Sequence, residues 1–233
     1  MQRISLVNIA HNFIREVLRP GDIAIDATIG NGHDTVFLVE QVSPSGRVFG
    51  FDIQRAAIDS TLMKVESSCK TSERARSNEP LRLKCLTLIQ ASHADMDELI
   101  PAQYHGNISA IMFNLGYLPG GDKSIITDTD STVTALNSAG RMLSSNGIIT
   151  VMAYPGHQGG DQETTQVKNW CSQLDEDQYK ISIVYSSDNK ESAPRLFVIR
   201  KVTKTNQQQN NLLSLRPCFI HPHLIRTPYV RIQ

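Results

Sequence analysis

Short apolar runs and amphipathic stretches alternate along most of this chain. The N-terminal segment places its apolar side chains on one helical face, and Pro20 and Gly21 end it; these side chains are Val7, Ala10, Phe13, Ile14, Val17 and Leu18. Apolar runs that predict strands cover residues 23–26, 47–52, 86–90, 110–114, 147–153, 179–186 and 195–201. Amphipathic stretches that predict helices cover residues 33–42, 54–66, 130–143 and 161–174.

This alternation predicts the fold class. Strand–helix–strand units place parallel strands in one sheet with helices on both faces. Only a short turn, SSDNKESAP, separates the last two strands, and it favours an antiparallel pair at one edge. We therefore expect an α/β fold, namely a doubly wound, Rossmann-like, mostly parallel seven-stranded sheet with an antiparallel edge strand.

Composition narrows the class of protein. Across 233 residues, 23 Lys and Arg balance 23 Asp and Glu, so the chain is not generally polybasic. No apolar run approaches the length of a membrane span, and the amphipathic N-terminal segment carries an acid, unlike a secretory leader. The four cysteines lie far apart, without the paired spacing of a zinc site. We expect a cytoplasmic protein with no membrane segment and no bound metal.

Two segments depart from the alternation. Residues 66–82 are polar and predict an exposed loop insertion. Residues 204–233 are rich in Gln and Asn, contain basic residues and no acid, and predict a flexible tail. We therefore expect one domain over residues 1–203, followed by this basic tail.

A glycine-containing loop after the first strand is the strongest chemical motif, in the segment AIDATIGNGHDTVFL. The strand ends at Asp26, the loop contains Gly30 and Gly32, and a helix begins near His33. Glycines allow a sharp turn and a close backbone approach, and a helix N-terminus offers free N–H groups. The second strand ends in Asp52, whose carboxylate can accept hydrogen bonds from both hydroxyls of a ribose. These two features predict a nucleoside cofactor.

The loop sequence distinguishes between classes of nucleoside cofactor. A dinucleotide loop needs a third glycine, and Thr35 stands at that position, which disfavours a diphosphate and NAD-dependent redox chemistry. The order Asp26-x-Thr28-x-Gly30-x-Gly32 is instead similar to the loop of class I S-adenosylmethionine-dependent methyltransferases, with Thr28 in place of the first glycine. In that class, the acid and the polar loop groups hold an amino acid tail.

Polar side chains also follow the third, fourth and fifth predicted strands. His93 follows the third strand, Asn114 and Tyr117 follow the fourth, and Tyr154 and His157 follow the fifth. These strand ends form the edge at which an open parallel sheet binds its ligand. Asn114 offers an amide that donates and accepts hydrogen bonds, and Tyr117 offers a flat face for a base. We expect this group to surround the reactive end of the cofactor.

Other polar residues receive structural interpretations. Thr127 and Thr132 either line a polar pocket or cap the next helix. His11 and His105 lack placement at a strand end, so they are expected on the surface. Trp170 lies at helical spacing from apolar neighbours and is expected in the core.

Five segments occur here in the order found in one family, namely DATIGNGHDTVFL, GFDIQ, SHADM, MFNLGYLPGGDK and YPGHQGG. Over roughly residues 5–201, the chain resembles the MnmM (YtqB-like) family of bacterial and plastid proteins, long labelled "putative rRNA methylase". Members are similar to tRNA 5-aminomethyl-2-thiouridine methyltransferases. The resemblance implies methyl transfer from S-adenosyl-L-methionine to the aminomethyl group of the tRNA wobble uridine. A homodimer is an expectation of the resemblance alone.

The resemblance also implies roles for individual residues. The methionine half of the cofactor is expected against Asp26, Thr28, Gly30, Asn31, Gly32, Asp34 and Thr35. Asp52 and Gln54 are expected to hold the ribose, with Ser92 and His93 near the adenine. The substrate amine, which must lose a proton, is expected beside Asn114, Tyr117, Asp122, Tyr154 and His157, and the sequence does not rank these candidates.

Two other functions remain open at this point. One is a class I methyltransferase that acts on rRNA or on a small-molecule amine. Apart from the N-terminal helix, the sequence shows no added lid of the kind that small-molecule enzymes often carry, which favours a large substrate. The other is a nucleoside-binding module without catalysis, which would not need the polar residues after the fourth and fifth strands.

Overall fold

The protein is described from a computed structural model that covers residues 5–71, 83–116, 120, 126–156, 159–186 and 190–203. Its strands are β1 (Ile23–Asp26), β2 (Arg47–Asp52), β3 (Leu86–Gln90), β4 (Ile108–Asn114), β5 (Leu143–Ala153), β6 (Tyr179–Tyr185) and β7 (Arg195–Lys201). Its helices are α1 (Leu6–Val17), α2 (His33–Val42), α3 (Arg55–Thr71), α4 (Met96–Leu99), α5 (Thr129–Met142) and α6 (Gly160–Gln173), with 3-10 turns at His93–Asp95 and Ala102–Tyr104.

The seven strands form one sheet in the order β3-β2-β1-β4-β5-β7-β6. The pairs among β1 to β5 are parallel, whereas β7 is antiparallel to both β5 and β6. The predicted fold class and the antiparallel pair at one edge are therefore confirmed, with β6 outermost. Because β1 to β5 run in one direction, Asp26, Asp52 and Asn114 end at the same edge of the sheet.

Helices cover both faces of the sheet, as predicted. On one face, α1, α2 and α3 pack on alternate strand residues such as Ala24 and Val48. On the other face, α4, α5 and α6 pack on the intervening residues, such as Ile25 and Phe49. Trp170 of α6 lies in this second core, as predicted, and its indole N–H donates to Asn137. The alternation follows from the period of two in a strand, which sends successive side chains to opposite faces.

Most element boundaries agree with the sequence within two residues, and two differ more. Strand β5 begins at Leu143, earlier than expected. Helix α3 continues to Thr71, so the predicted loop insertion is wrong for residues 66–71. Polar side chains on the solvent face of a helix do not interrupt its backbone hydrogen bonds, and Ser67 and Ser68 also bond carbonyls of α3. The rest of that insertion, 72–82, and the predicted tail at 204–233 lie outside the described residues.

None of the helices in the described ranges has the length and apolar content that a bilayer crossing requires.

Candidate active site

A cavity of about 680 Å³ lies at the carboxyl edge of the sheet, where β1 to β5 end. Its volume is in the range of pockets that hold small ligands. The sequence-predicted residues that line it are Thr28, Gly30, Asn31, Asp34, Asp52, Gln54, Ser92, His93, Asn114 and Tyr154. Tyr117, Asp122 and His157 lie outside the described residues. The structure therefore brings together residues from five separate strand ends.

Asp52 links two loops at the floor of this cavity. One carboxylate oxygen accepts the backbone N–H of Gly30 at 3.0 Å, and the other accepts that of Gln54 at 2.9 Å. Each carboxylate oxygen has a further lone pair, so Asp52 can still accept hydrogen bonds from a ligand. The side chain is thus fixed in orientation before any ligand binds.

Thr28, which stands where the loop of class I S-adenosylmethionine-dependent methyltransferases has its first glycine, links the ends of β1 and β4. Its hydroxyl oxygen accepts the backbone N–H of Asn114 at 2.6 Å. This contact joins residues 86 positions apart in the chain. A glycine could not make it, so the substitution adds a hydrogen bond between the loop that begins the cavity and the loop that follows β4.

Asp26 and Thr35 do not line the cavity but lie buried behind it. The Thr35 hydroxyl donates to Asp26 at 2.6 Å, and the N–H of Thr28 donates to its other carboxylate oxygen at 3.2 Å. Burial, followed by the negative charges of Asp34 and then Asp52, raises the pKa of Asp26 to about 7. Three carboxylates therefore share this end of the cavity, which favours a ligand that carries positive charge.

Gly32 also lies outside the cavity lining. Its φ is +75°, and a β-carbon there would lie 2.4 Å from the hydroxyl oxygen of Thr61 in α3. The need for glycine at this position therefore comes from its backbone conformation and from the close approach of α3.

His93 is buried just after the end of β3 and lines the cavity. Its Nδ1 lies 3.2 Å from the carbonyl oxygen of Ala27, so Nδ1 carries the proton. Burial lowers the pKa of this imidazole, which keeps it neutral near pH 7. Its Nε2 therefore acts as an acceptor and lies 3.4 Å from the Ser131 hydroxyl. His93 is fixed as a neutral, cavity-facing group.

Glu163 of α6 is a buried acid that sequence reasoning missed. It accepts the hydroxyls of Thr127 at 2.9 Å and Thr132 at 2.7 Å, and Thr127 in turn accepts the N–H of Gly116 at 2.9 Å. Burial raises the pKa of Glu163. Gly116 and Thr127 line the cavity, so Glu163 holds the segment that follows β4 in place through its hydrogen bond with Thr127. An acid on the same helical face as Val167 and Trp170 was the available signal.

The prediction that His11 is a surface residue is wrong. Its Nε2 lies 2.6 Å from Oδ1 of Asp34, and its side chain is only 14% exposed. His11 lies on the apolar face of α1, between Val7 and Ile14, and a polar residue at such a position was the signal. His105 is also partly buried, with Nε2 2.9 Å from the carbonyl of Ile100. Among the described residues, no group of three or more acids, histidines and cysteines could hold a metal ion.

Comparison with known proteins decides the family. The model of the family described as "Putative rRNA methylase" matches residues 48–200, which is most of the chain. The chain belongs to this family. A crystal structure of a "putative rRNA-methylase" from Clostridium thermocellum is 35% identical and superposes with a TM-score of 0.76, over 87% of this chain and 100% of that one. Family and fold therefore agree with the resemblance seen in the sequence.

Two further relatives bear on the cavity. A methyltransferase from Streptococcus mutans, crystallised in complex with SAH, is 31% identical, with a TM-score of 0.71 over 86% of this chain and 100% of that one. The chloroplastic tRNA (mnm(5)s(2)U34)-methyltransferase of Arabidopsis thaliana is 36% identical over 177 residues, which is 74% of this chain. The match covers 61% of the Arabidopsis protein, so this chain spans less than two thirds of that relative.

Proposed function

We propose that this protein is an S-adenosyl-L-methionine-dependent methyltransferase that methylates the 5-aminomethyl group of the wobble uridine in tRNA. The observation that carries the proposal is the cavity at the carboxyl edge, in which the Asp52 carboxylate accepts the Gly30 N–H and Asp34 also lines the wall. The family relative with SAH and the Arabidopsis tRNA methyltransferase support the cofactor and the substrate class.

The residues present fit this cofactor. S-adenosylmethionine carries two hydroxyls on its ribose and positive charges at its sulfonium and ammonium groups. Asp52 and Gln54 would hold the ribose, and Ser92 and His93 would lie near the adenine. Asp34 and the polar groups of the 28–34 loop would hold the methionine half, with Asp26 and Thr35 supporting them from behind. The raised pKa of Asp26 fits a site whose negative charge is completed by a cation.

When bound, the cofactor supplies an electrophilic methyl group for an in-line displacement. The protein's own residues must then hold the substrate amine in line and accept its proton, since an ammonium cannot act as a nucleophile. Asn114 and Tyr154 line the cavity beside the loop that follows β4 and are placed to orient that amine. Burial raises the pKa of Tyr154, so its hydroxyl stays protonated and donates or accepts a hydrogen bond without charge. Tyr117, Asp122 and His157 remain candidates for the same task.

The test is methyl transfer from labelled S-adenosylmethionine to tRNA that carries 5-aminomethyl-2-thiouridine, followed by mass spectrometry of the nucleosides. We expect that nucleoside to become its N-methyl form. Asp52→Asn should abolish both cofactor binding and transfer while the fold is kept. Asp59→Asn makes the same chemical change at an exposed acid of α3, outside the cavity lining, and should leave both unchanged.

Three outcomes would contradict parts of the proposal. If label entered rRNA or a small amine, the assignment of the protein as a methyltransferase would stand, and the assignment of tRNA as its substrate would be wrong. Cofactor binding without transfer to any acceptor would favour a nucleoside-binding module. Undiminished binding by the Asp52→Asn variant would overturn the ribose role of Asp52. The cytoplasmic location and the homodimer stay predictions.

A further inference from the structure

Helix α1 contacts the first turn of α2 through His11. His11 points its Nε2 at Oδ1 of Asp34, with 2.6 Å between the two atoms. A carboxylate only accepts hydrogen bonds, so Nε2 carries a proton and donates it. Donors to an ionised acceptor make the stronger class of hydrogen bond. The geometry thus shows a directed contact from one helix to an acid of another.

The histidine ring is held in place by packing as well as by this bond. It stacks on Phe37 with 3.8 Å between ring centroids and an angle of 5° between the planes. Phe37 follows Asp34 by one helical turn, so both lie on one face of α2. The guanidinium of Arg15, one turn after His11, lies 4.8 Å from the Phe37 centroid. Residues from two successive turns of α1, His11 and Arg15, therefore contact residues from two successive turns of α2, Asp34 and Phe37.

Helix α1 is itself fixed to the sheet, which makes it a rigid support. Ala10 and Ile14 are buried in the core that includes Val39 and Met152. Near its end, Glu16 pairs with Arg200 of β7. His11 does not line the cavity, whereas Asp34 does. The histidine thus acts on the cavity only through the acid.

Asp34 lies in a strongly negative region. Its charge raises the pKa of Asp26 behind the loop and also that of Tyr154 across the cavity. A buried carboxylate in such a region needs a hydrogen-bond donor to keep one orientation. Helix packing alone would not require a polar pair here, since well-packed apolar residues of similar volume often give equal stability at such a position.

We infer that His11 is a positioning residue that holds the Asp34 carboxylate directed toward an ammonium group bound in the cavity. The inference rests on the proposed function, which supplies two ammonium groups. One belongs to the methionine end of the cofactor, and the other is the aminomethyl group of the substrate nucleoside before it loses its proton. Both have the same recognition chemistry, an N–H donor with positive charge facing a carboxylate.

The test compares variants that separate the donor from the ring. His11→Phe keeps the stack on Phe37 and removes the donor, whereas His11→Gln removes the stack and keeps an amide N–H. Asn8→Ala changes an exposed residue of the same helix and serves as the control. Binding of S-adenosylmethionine is measured by calorimetry without RNA, and kcat and KM for tRNA are measured at saturating cofactor over a range of pH. Thermal unfolding checks that each variant is folded.

His11→Phe should lower either the affinity for S-adenosylmethionine or kcat/KM for tRNA by about tenfold or more, which corresponds to the loss of one hydrogen bond to a charged group. A loss in cofactor affinity assigns Asp34 to the methionine ammonium. A loss confined to kcat/KM for tRNA, with a changed pH profile, assigns it to the substrate amine. His11→Gln should recover most of the loss, and Asn8→Ala should match the wild type. In the Asp34→Asn background, His11→Phe should have little further effect, because the two residues act as a unit.

Three results would overturn the inference while the proposed function stands. One is a His11→Phe variant equal to the wild type in both measurements. The second is a His11→Gln variant as poor as His11→Phe, and the third is losses that add in the double variant, since each of these two assigns His11 to packing alone. If the wild-type protein bound no S-adenosylmethionine, the proposed function would fail first and the inference with it.

Discussion

The buried acid Glu163 gives the sharpest test of how the cavity is built. It is 5% exposed and accepts hydroxyls from both Thr127 and Thr132. Glu163→Ala removes both acceptors. Each hydrogen bond to a charged group contributes about 1.5–3 kcal/mol. The substitution also removes the desolvation penalty of a buried carboxylate, which offsets part of this loss. We therefore expect the free energy of unfolding to fall by about 2–4 kcal/mol.

Glu163→Gln separates the charge from the shape. The amide keeps one acceptor oxygen and replaces the other with a donor, so about 1 kcal/mol should be lost under conditions in which the wild-type acid is protonated. Because burial raises the pKa of Glu163 in the folded state, the wild type binds this proton more tightly when folded. Its stability contribution is therefore present at low pH and is lost as the pH rises through the raised pKa. The stability difference between wild type and Glu163→Gln should shrink over that range.

The assay is urea unfolding of the wild type and both variants at several pH values from mildly acidic to neutral. Methyl transfer to tRNA is measured in parallel, because Thr127 also accepts the N–H of Gly116, which lines the cavity. We expect Glu163→Ala to lower kcat/KM as well as stability. A Glu163→Ala variant as stable as the wild type, or a difference for Glu163→Gln that grows with pH, would refute the reasoning.

Three further predictions concern the loop that begins the cavity. Gly32→Ala should lower the free energy of unfolding by about 2–4 kcal/mol, because φ is positive there and the new β-carbon would meet Thr61. Gly106 has a similar φ of +76° but open space around it, so Gly106→Ala should lower that free energy by only about 1 kcal/mol. Thermal unfolding measures both variants, and equal losses would show that the Thr61 contact does not matter. Burial raises the pKa of Asp26 from its ordinary value of 3.8 to about 7, so the stability of the wild type should fall as the pH rises from about 4 through 7. Asp26→Asn should flatten this part of the plot of unfolding free energy against pH. Thr28→Val should lower kcat/KM about tenfold by leaving the N–H of Asn114 without its acceptor, whereas Thr28→Ser should not; equal activities would exclude that bond from catalysis.

The strands of the sheet could be predicted from the sequence because each strand is marked by the pattern of its own residues. Strands β1, β2, β3 and β7 have the predicted bounds, since each is a short apolar run between turn residues. The residues at strand ends could be predicted for the same reason, because parallel strands bring their carboxyl ends to one edge. Asp52 and Asn114 reach the cavity through topology alone. Periodicity was less informative in α3, where the polar sequence after Glu66 predicted a loop although the helix continues to Thr71.

The contacts that orient these residues could not be predicted in the same way. His11 and Asp34 are 23 residues apart, and Glu163 and Thr127 are 36 apart, so neither pair has a local pattern that joins it. Both depend on which helix faces pack together, and that depends on the whole core. The sequence offered only a polar residue on an apolar helical face. Such a residue indicates a buried partner but does not say which partner it has.

A common rule explains how these contacts build the cavity. Asp52 accepts the N–H of Gly30, Thr28 accepts that of Asn114, and Thr127 accepts that of Gly116. In the first two cases a side chain at one strand end bonds the backbone of another loop, and in the third Thr127 bonds the chain just after β4, so the orientation of the side chain and the path of the loop are fixed together. Such bonds exist before a ligand arrives, and they lower the entropy that a ligand must remove on binding. A substitution at any one of them should therefore weaken binding through the neighbouring loop as well as through its own lost contact.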